Sequence, residues 1–422
     1  MHYSKKTLTN GIRVILVPNT QSPATTILVL AETGSKYETK ETNGLAHFLE
    51  HMVFKGTTTR PKAIDISHEL ESIGAQYNAF TSHEYTGYYA KVSARHFDKA
   101  FEVIADMYTH PILEEEEIQK EKGVIIEEIK MYQDLPHHHV QDMMMELLYG
   151  DVPAGWNIAG TVETVNSFTR DNFLKYRNEH YNTDSTLVIV SGNFDEETIE
   201  DKIKDAFKDV SAGPKSNKLA VIERQVEPQI LIQNRETDQT HIIIAFRGFS
   251  VTDKRLSTAR VLAALLGGGM SSRLFERLRN NMGVGYYVSA SHEAYTDHGV
   301  FSISTGVDKA RVDEVVIAIL EECKKLIDEA VDDVELTRVK NNVTGSLELS
   351  LETSDRQGEF LGFQEIMKGT IETVDDINNK ITKVTSQEIQ ALAKELFVNE
   401  RLNLALVGAY GDESKLKSLL KI

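Results

Sequence analysis

Three things are scarce in this chain. It has a single cysteine, Cys323, in 422 residues. That excludes an intrachain disulfide and a metal cage built of thiolates, and it fits a reducing compartment. Basic charge is also short: 46 Lys and Arg stand against 64 Asp and Glu, a net charge of -18. No basic stripe is left to displace counterions from a phosphate backbone, which argues against nucleic acid as a partner. Long apolar runs are missing too. No stretch approaches the roughly 18 apolar residues of a membrane span. The opening MHYSKKTLTNGIRVILVPNT lacks the apolar core of an export signal and reads as a strand with a turn at Asn10-Gly11. The expectation is a cytoplasmic protein with no membrane partner.

What remains is ordinary globular composition, 41% hydrophobic and 26% charged, in a chain long enough for two or three domains. An internal repeat favours two. VNSFTRDNFLKY (165–176) and LVIVSGNFD (187–195) recur 216 residues later as ITKVTSQEIQAL (381–392) and NLALVGAYGD (403–412). Thr169 matches Thr385, Tyr181 matches Phe397 and Gly192 matches Gly408 at that one offset. Each copy reads as a capped helix followed by a buried strand ending in a glycine turn. The boundary falls in VSAGPKSNK (210–218), rich in Gly, Pro, Ser and Lys. The expected organisation is a domain over 1–212, a linker over 213–222 and a second, homologous domain over 223–422. Strands such as THIIIAFRGF and GVFSISTGV do not alternate strictly with helices such as DKAFEVIADMYTHPI and VDEVVIAILEECKKLI. The fold class is therefore α+β, with helices packed mainly on one face of each sheet.

GLAHFLEHMVFKGT (44–57) carries the chemistry. Positions four apart stack on one face of a helix, so His47 and His51 present two imidazoles to one point, with Glu50 beside them. Neutral imidazole is a standard zinc ligand, and a catalytic zinc takes a third protein ligand and keeps one position open for water. Glu50 is placed to take a proton from that water. The third ligand has to come from elsewhere. EEEEIQKEKGVIIEEIKMY (114–132) reads as a helix with acids at its N-terminus, where the helix dipole favours them. Glu121 and Glu128 lie seven apart and share a face, and Glu127 is one residue off it.

HxxEH inverts the order of the common HExxH zinc motif. With an acidic helix 77 residues beyond His51, the sequence resembles the pitrilysin-type inverted zincins, in the branch of mitochondrial processing peptidase and its bacterial relatives. The resemblance implies a zinc metalloendopeptidase built of two similar, mostly antiparallel domains. It implies that His47, His51 and Glu128 bind Zn2+, that Glu50 is the general base, and that Glu121 supports the ligands from behind. Aligning VIIEEI with the family pattern selects Glu128 over Glu127.

Two further stretches match the family. NAFTSHEYTGYYAKV (78–92) resembles its active-site edge strand, with Asn78 and Ala79 facing a peptide bound as an added strand. LLGGGMSSRLFERLRNNMGVGYYVSA (265–290) contains Arg279 and Tyr286, the pair that in active members binds substrate carbonyls and the tetrahedral intermediate. Gly267–Gly269 read as a turn or a close backbone approach. The second half has no HxxEH. By resemblance the working form is a homodimer in which Arg279 and Tyr286 of one subunit complete the zinc site of the other, and the substrates are peptides or unfolded segments. The alternative is a non-catalytic scaffold or partner subunit, a class marked by a degraded HxxEH or a missing Arg/Tyr pair. PHHHV (136–140) reads as a loop that does not bear on catalysis.

Overall fold

The computed structural model describes residues 1–422. Its strands form two sheets. The first holds β1 (Ser4–Thr7), β2 (Arg13–Pro18), β3 (Ala24–Ala31), β4 (Gln76–Thr81), β5 (Thr86–Ser93) and β6 (Thr186–Gly192) in the order β1-β2-β6-β3-β5-β4. The second holds β7 (Gln229–Asn234), β8 (Thr240–Arg247), β9 (Tyr287–Ala294), β10 (Gly299–Val307) and β11 (Leu402–Gly408) in the order β7-β11-β8-β10-β9. Each sheet is antiparallel apart from one parallel pair, β2 with β6 and β7 with β11. The fold is α+β with two homologous domains.

The duplication is visible strand by strand. β7, β8 and β11 begin and end 216 residues after β2, β3 and β6. The helix Ser386–Leu396 stands at the same remove from Arg170–His180. Thr169 and Thr385 both cap these helices, each in a reciprocal capping box. Gly192 and Gly408 end the paired strands at φ +118° and +157°, where a side chain is strained.

The strands β2, β3 and β6 of the first sheet are near-continuous apolar runs, which need cover on both faces. Alternate residues divide cleanly. Val14, Leu16, Ile27, Val29, Val188 and Val190 enter a core shared with the helices Leu45–Met52 and Phe97–Thr109. Ile15, Val17, Leu28, Leu30, Leu187 and Ile189 face the other way and meet Leu361 and Ile366 of the helix Ser354–Lys368. Gly362 lets that helix approach: a Cβ there would sit 3.0 Å from Leu30 and 3.1 Å from Ile189.

This helix alters the expected division at 213–222. The chain forms two compact units, one of residues 1–130, 156–219 and 350–371, the other of 131–155, 220–349 and 372–422. Each half sends one helix into the other unit's sheet. In the second unit the helix Pro136–Tyr149 lays Val140, Met143, Met144 and Leu148 on Ile243, Ala245, Ala405 and Val407. The physical reason is the second apolar face of each sheet, which the helices of its own half leave bare.

Two local readings change. PHHHV is not a loop: Pro136 occupies the first turn of a helix, where its missing N–H costs nothing. Residues 78–92 are not one strand but a hairpin, β4 and β5, joined at Ser82–Tyr85, where the Ser82 hydroxyl accepts the backbone N–H groups of Glu84 and Tyr85.

Candidate metal centre

The helix Leu45–Met52 buries Leu45, Ala46, Phe48, Leu49 and Met52 in the first core. That leaves His47, Glu50 and His51 on the remaining face. Its N-terminus lacks a side-chain cap of its own, because Gly44 stands there at φ +97°. A side chain at Gly44 would strike the Ala159 carbonyl, at 2.5 Å. Glu38 supplies the cap instead. Its carboxylate accepts the N–H groups of Gly44 at 2.8 Å and Ala46 at 2.7 Å and the Asn43 amide at 3.2 Å. Burial pushes the Glu38 carboxyl up to about 8, against the pull of those donors.

The helix Glu115–Asp134 buries Ile118, Ile125 and Ile129, and so turns Glu121 and Glu128 toward the histidines. Oε1 of Glu128 lies 3.8 Å from Nε2 of His47, and its Oε2 lies 3.4 Å from Nε2 of His51. One donor atom from each of the three side chains falls within 4.8 Å of the others. Zinc bonds of about 2.0–2.2 Å in a tetrahedron put ligand atoms about 3.4 Å apart, so this donor set fits the ion closely. Glu127 points elsewhere, exposed and paired with Lys130 at 2.8 Å.

The other ring nitrogen of His51, Nδ1, meets Oε1 of Glu121 at 2.9 Å, which leaves Nε2 for a metal. Lys55 holds the second Glu121 oxygen at 2.5 Å. Burial alone would lower the pKa of His51, but the Glu121 and Glu128 carboxylates carry it up to about 9. Burial, aided by repulsion from His51, pushes His47 down to about 4. Glu50 is raised by burial, against the hydrogen bond its Oε2 accepts from the Thr81 hydroxyl at 2.6 Å.

β4 is an edge of its sheet, paired only with β5. Asn78 is exposed there and Ala79 is buried. The Asn78 side chain accepts the N–H of Ala79 at 2.9 Å. Arg279 and Tyr286 belong to the second unit. Arg279 lies within a wide helical turn, Phe275–Asn281, and donates to the Gly285 carbonyl at 2.9 Å; Tyr286, the residue after Gly285, stands 71% exposed. Gly267 is a close approach, since a Cβ would lie 2.3 Å from the Ala290 nitrogen on β9. The helix there, Leu256–Gly267, carries neither histidine nor acid. The three adjacent histidines stand on the helix Pro136–Tyr149, where the His137 ring lies 6.0 Å from that of His241 and the group converges on no metal-binding point.

Sequence reasoning missed Glu38, Lys55 and Thr81. Only Lys55 had a local signal, a cation four residues beyond His51.

The inverted histidine pair, the acid on a second helix and the carboxylate between the histidines define the class as a zinc protease. Residues 13–162 match the family description "Insulinase (Peptidase family M16)", and residues 167–343 match "Peptidase M16 inactive domain". The chain belongs to peptidase family M16. It is similar to the uncharacterized zinc protease YmxG of Bacillus subtilis, 38% identical over 96% of this chain and 98% of that one. The uncharacterized zinc protease SCO5738 of Streptomyces coelicolor is 32% identical over 97% of this chain and 90% of its own. A crystal structure of a protease from Helicobacter pylori shares the fold, with a TM-score of 0.88 over 96% of this chain and 99% of that one, at 22% identity. The match to the inactive domain starts within the first half and runs into the second, where the helix Leu256–Gly267 carries neither histidine nor acid.

Proposed function

We propose that the chain is a zinc-dependent endopeptidase of peptides and unfolded segments. One observation carries this reading: the donor atoms of His47, His51 and Glu128 converge within 4.8 Å on the helix face that also bears Glu50. These three would hold the ion and leave a position open. Bound zinc would supply an acidified water and polarise a peptide carbonyl.

The chain's own groups do the rest. Glu50 takes a proton from the water and passes it to the leaving amine. Glu121 keeps Nδ1 of His51 occupied, which fixes the ring. The outer edge of β4 offers main-chain groups to an extended peptide, and a folded protein has no such strand free to add. For that pairing the Asn78 side chain has to release the Ala79 N–H. Arg279 and Tyr286 would donate hydrogen bonds to the oxygen on which negative charge develops. In this reading they come from a second copy of the chain, and the working form is a homodimer.

The test is cleavage of an unstructured, internally quenched peptide library with chelator and then zinc. Cleavage that chelator stops and zinc restores is the expected result. An inert protein holding about one zinc per chain would turn the reading to a non-catalytic partner subunit.

A further inference from the structure

Thr81 is the last residue of β4. Its hydroxyl donates to Oε2 of Glu50 at 2.6 Å. A hydroxyl donating to a carboxylate at this distance is among the stronger side-chain hydrogen bonds, and it fixes a rotamer. Glu50 has no other side-chain hydrogen-bond partner.

The hydroxyl is itself held firmly. Thr81 pairs with Thr86 across the hairpin, and the Thr86 hydroxyl donates to the Thr33 carbonyl at 2.9 Å. The turn that follows is clamped by the segment Gly34–Lys36. Ser35 N–H donates to Ser82 at 3.2 Å and Lys36 N–H to His83 at 2.8 Å. Gly34 passes so close that a Cβ would lie 2.1 Å from the Ser82 carbonyl oxygen. Strand, turn and clamp thus fix the backbone at Thr81 from the side away from Glu50's own side chain.

We propose that Thr81 is a positioning residue for the general base. It occupies Oε2, so Oε1 is the oxygen left to exchange the proton. This rests on the reading of Glu50 as the base. It adds that the base is aimed by the same strand whose edge would take the peptide, so a substrate strand and the base share one rigid reference. Misplacement of a reacting group by about 1 Å can cost on the order of a hundredfold in rate. Loss of one of several constraints should cost less.

The test pairs Thr81→Val, which keeps the shape and removes the donor, with Thr81→Ser, which keeps the donor. Cleavage kinetics, zinc content and crystal structures of the zinc-free proteins are the readouts. The expected T81V protein binds zinc normally, loses about tenfold in kcat with KM within about twofold, and shows Glu50 in more than one rotamer. T81S recovers kcat and the single rotamer. The proposal is overturned if T81V keeps its kcat, if T81S is as slow as T81V, or if Glu50 holds one rotamer without the hydroxyl. Glu50→Gln run alongside separates the two claims. An active E50Q overturns the base and the positioning role together, whereas an inactive E50Q beside a fully active T81V overturns the positioning role alone.

Discussion

Oε2 of Glu128 lies 3.4 Å from Nε2 of His51, while the neighbouring Glu127 turns outward to Lys130. One residue of helix rotation, about 100°, separates the proposed ligand from a surface charge. Glu128→Gln should therefore lower zinc affinity by at least tenfold, and Glu127→Gln should leave it unchanged. Zinc titration against a chromophoric chelator distinguishes them, and equal losses would reject the assignment.

Glu50 sits on the helix of His47 and His51 but is not one of the three converging side chains. E50Q protein should keep about one zinc per chain and lose roughly a hundredfold to ten-thousandfold in turnover, the usual contribution of a general base. Metal analysis and peptide cleavage on the same preparation give both numbers. Normal cleavage would remove Glu50 from the mechanism.

Arg279 and Tyr286 share a unit that carries no metal-binding group of the kind found in the first. If they act on a second copy, chains with Arg279→Ala and Tyr286→Ala should regain activity when mixed and refolded with inactive E50Q chains. A mixed dimer then has one site built from intact parts. No recovery, with mixed dimers demonstrated by mass spectrometry, would contradict the trans arrangement.

The lesson for sequence reading lies in the range of the interactions. His47, Glu50 and His51 were legible because four-residue spacing on a helix is a local rule. Seven-residue spacing put Glu121 and Glu128 on one face, but only the family pattern chose Glu128 over Glu127. The repeat was legible because strands and capped helices keep their length, and the 216-residue offset runs through three strand pairs. Thr81 and Glu38 were not legible. Each reaches its partner through a tertiary contact, and a hydroxyl at the end of a strand or an acid before a helix carries no pattern. The exchanged helices hid for a similar reason: an apolar stripe says that it is buried, not against which sheet. At Pro136 a residue that stops helices in mid-course was starting one.

Leu361 tests the exchange. It is fully buried against the first sheet, although it lies late in the chain. Leu361→Ala should cost about 2–5 kcal/mol in denaturant unfolding, as core Leu→Ala changes do. An effect below about 1 kcal/mol would mean that this helix is not part of that core.

His180 gives a pH signature. It is buried beside Tyr176, with ring centroids 4.2 Å apart, and its Nδ1 has no partner. Burial pushes its pKa down to about 4, from an ordinary 6.5. The unfolded chain then binds the proton more readily than the folded one between those values. Stability from a neutral His180 is present above about pH 6.5 and lost as pH falls toward 4. The melting temperature of zinc-free wild type relative to His180→Phe should be constant above about pH 6.5 and fall steadily as pH drops toward 4, the wild type losing more. Parallel curves would refute the assignment.

The polypeptide passes between its two compact units five times, at 130/131, 155/156, 219/220, 349/350 and 371/372. Neither half of the gene therefore encodes a finished object. A fragment ending near residue 212 would lack the helix that carries Leu361, and a fragment starting near 223 would lack the one that carries Met143 and Met144. Each would present a bare oily sheet to water and aggregate. Made together they could trade helices and recover, so a nick in the connecting segment would go unnoticed while the separate pieces failed. Each repeat owns part of the other's interior.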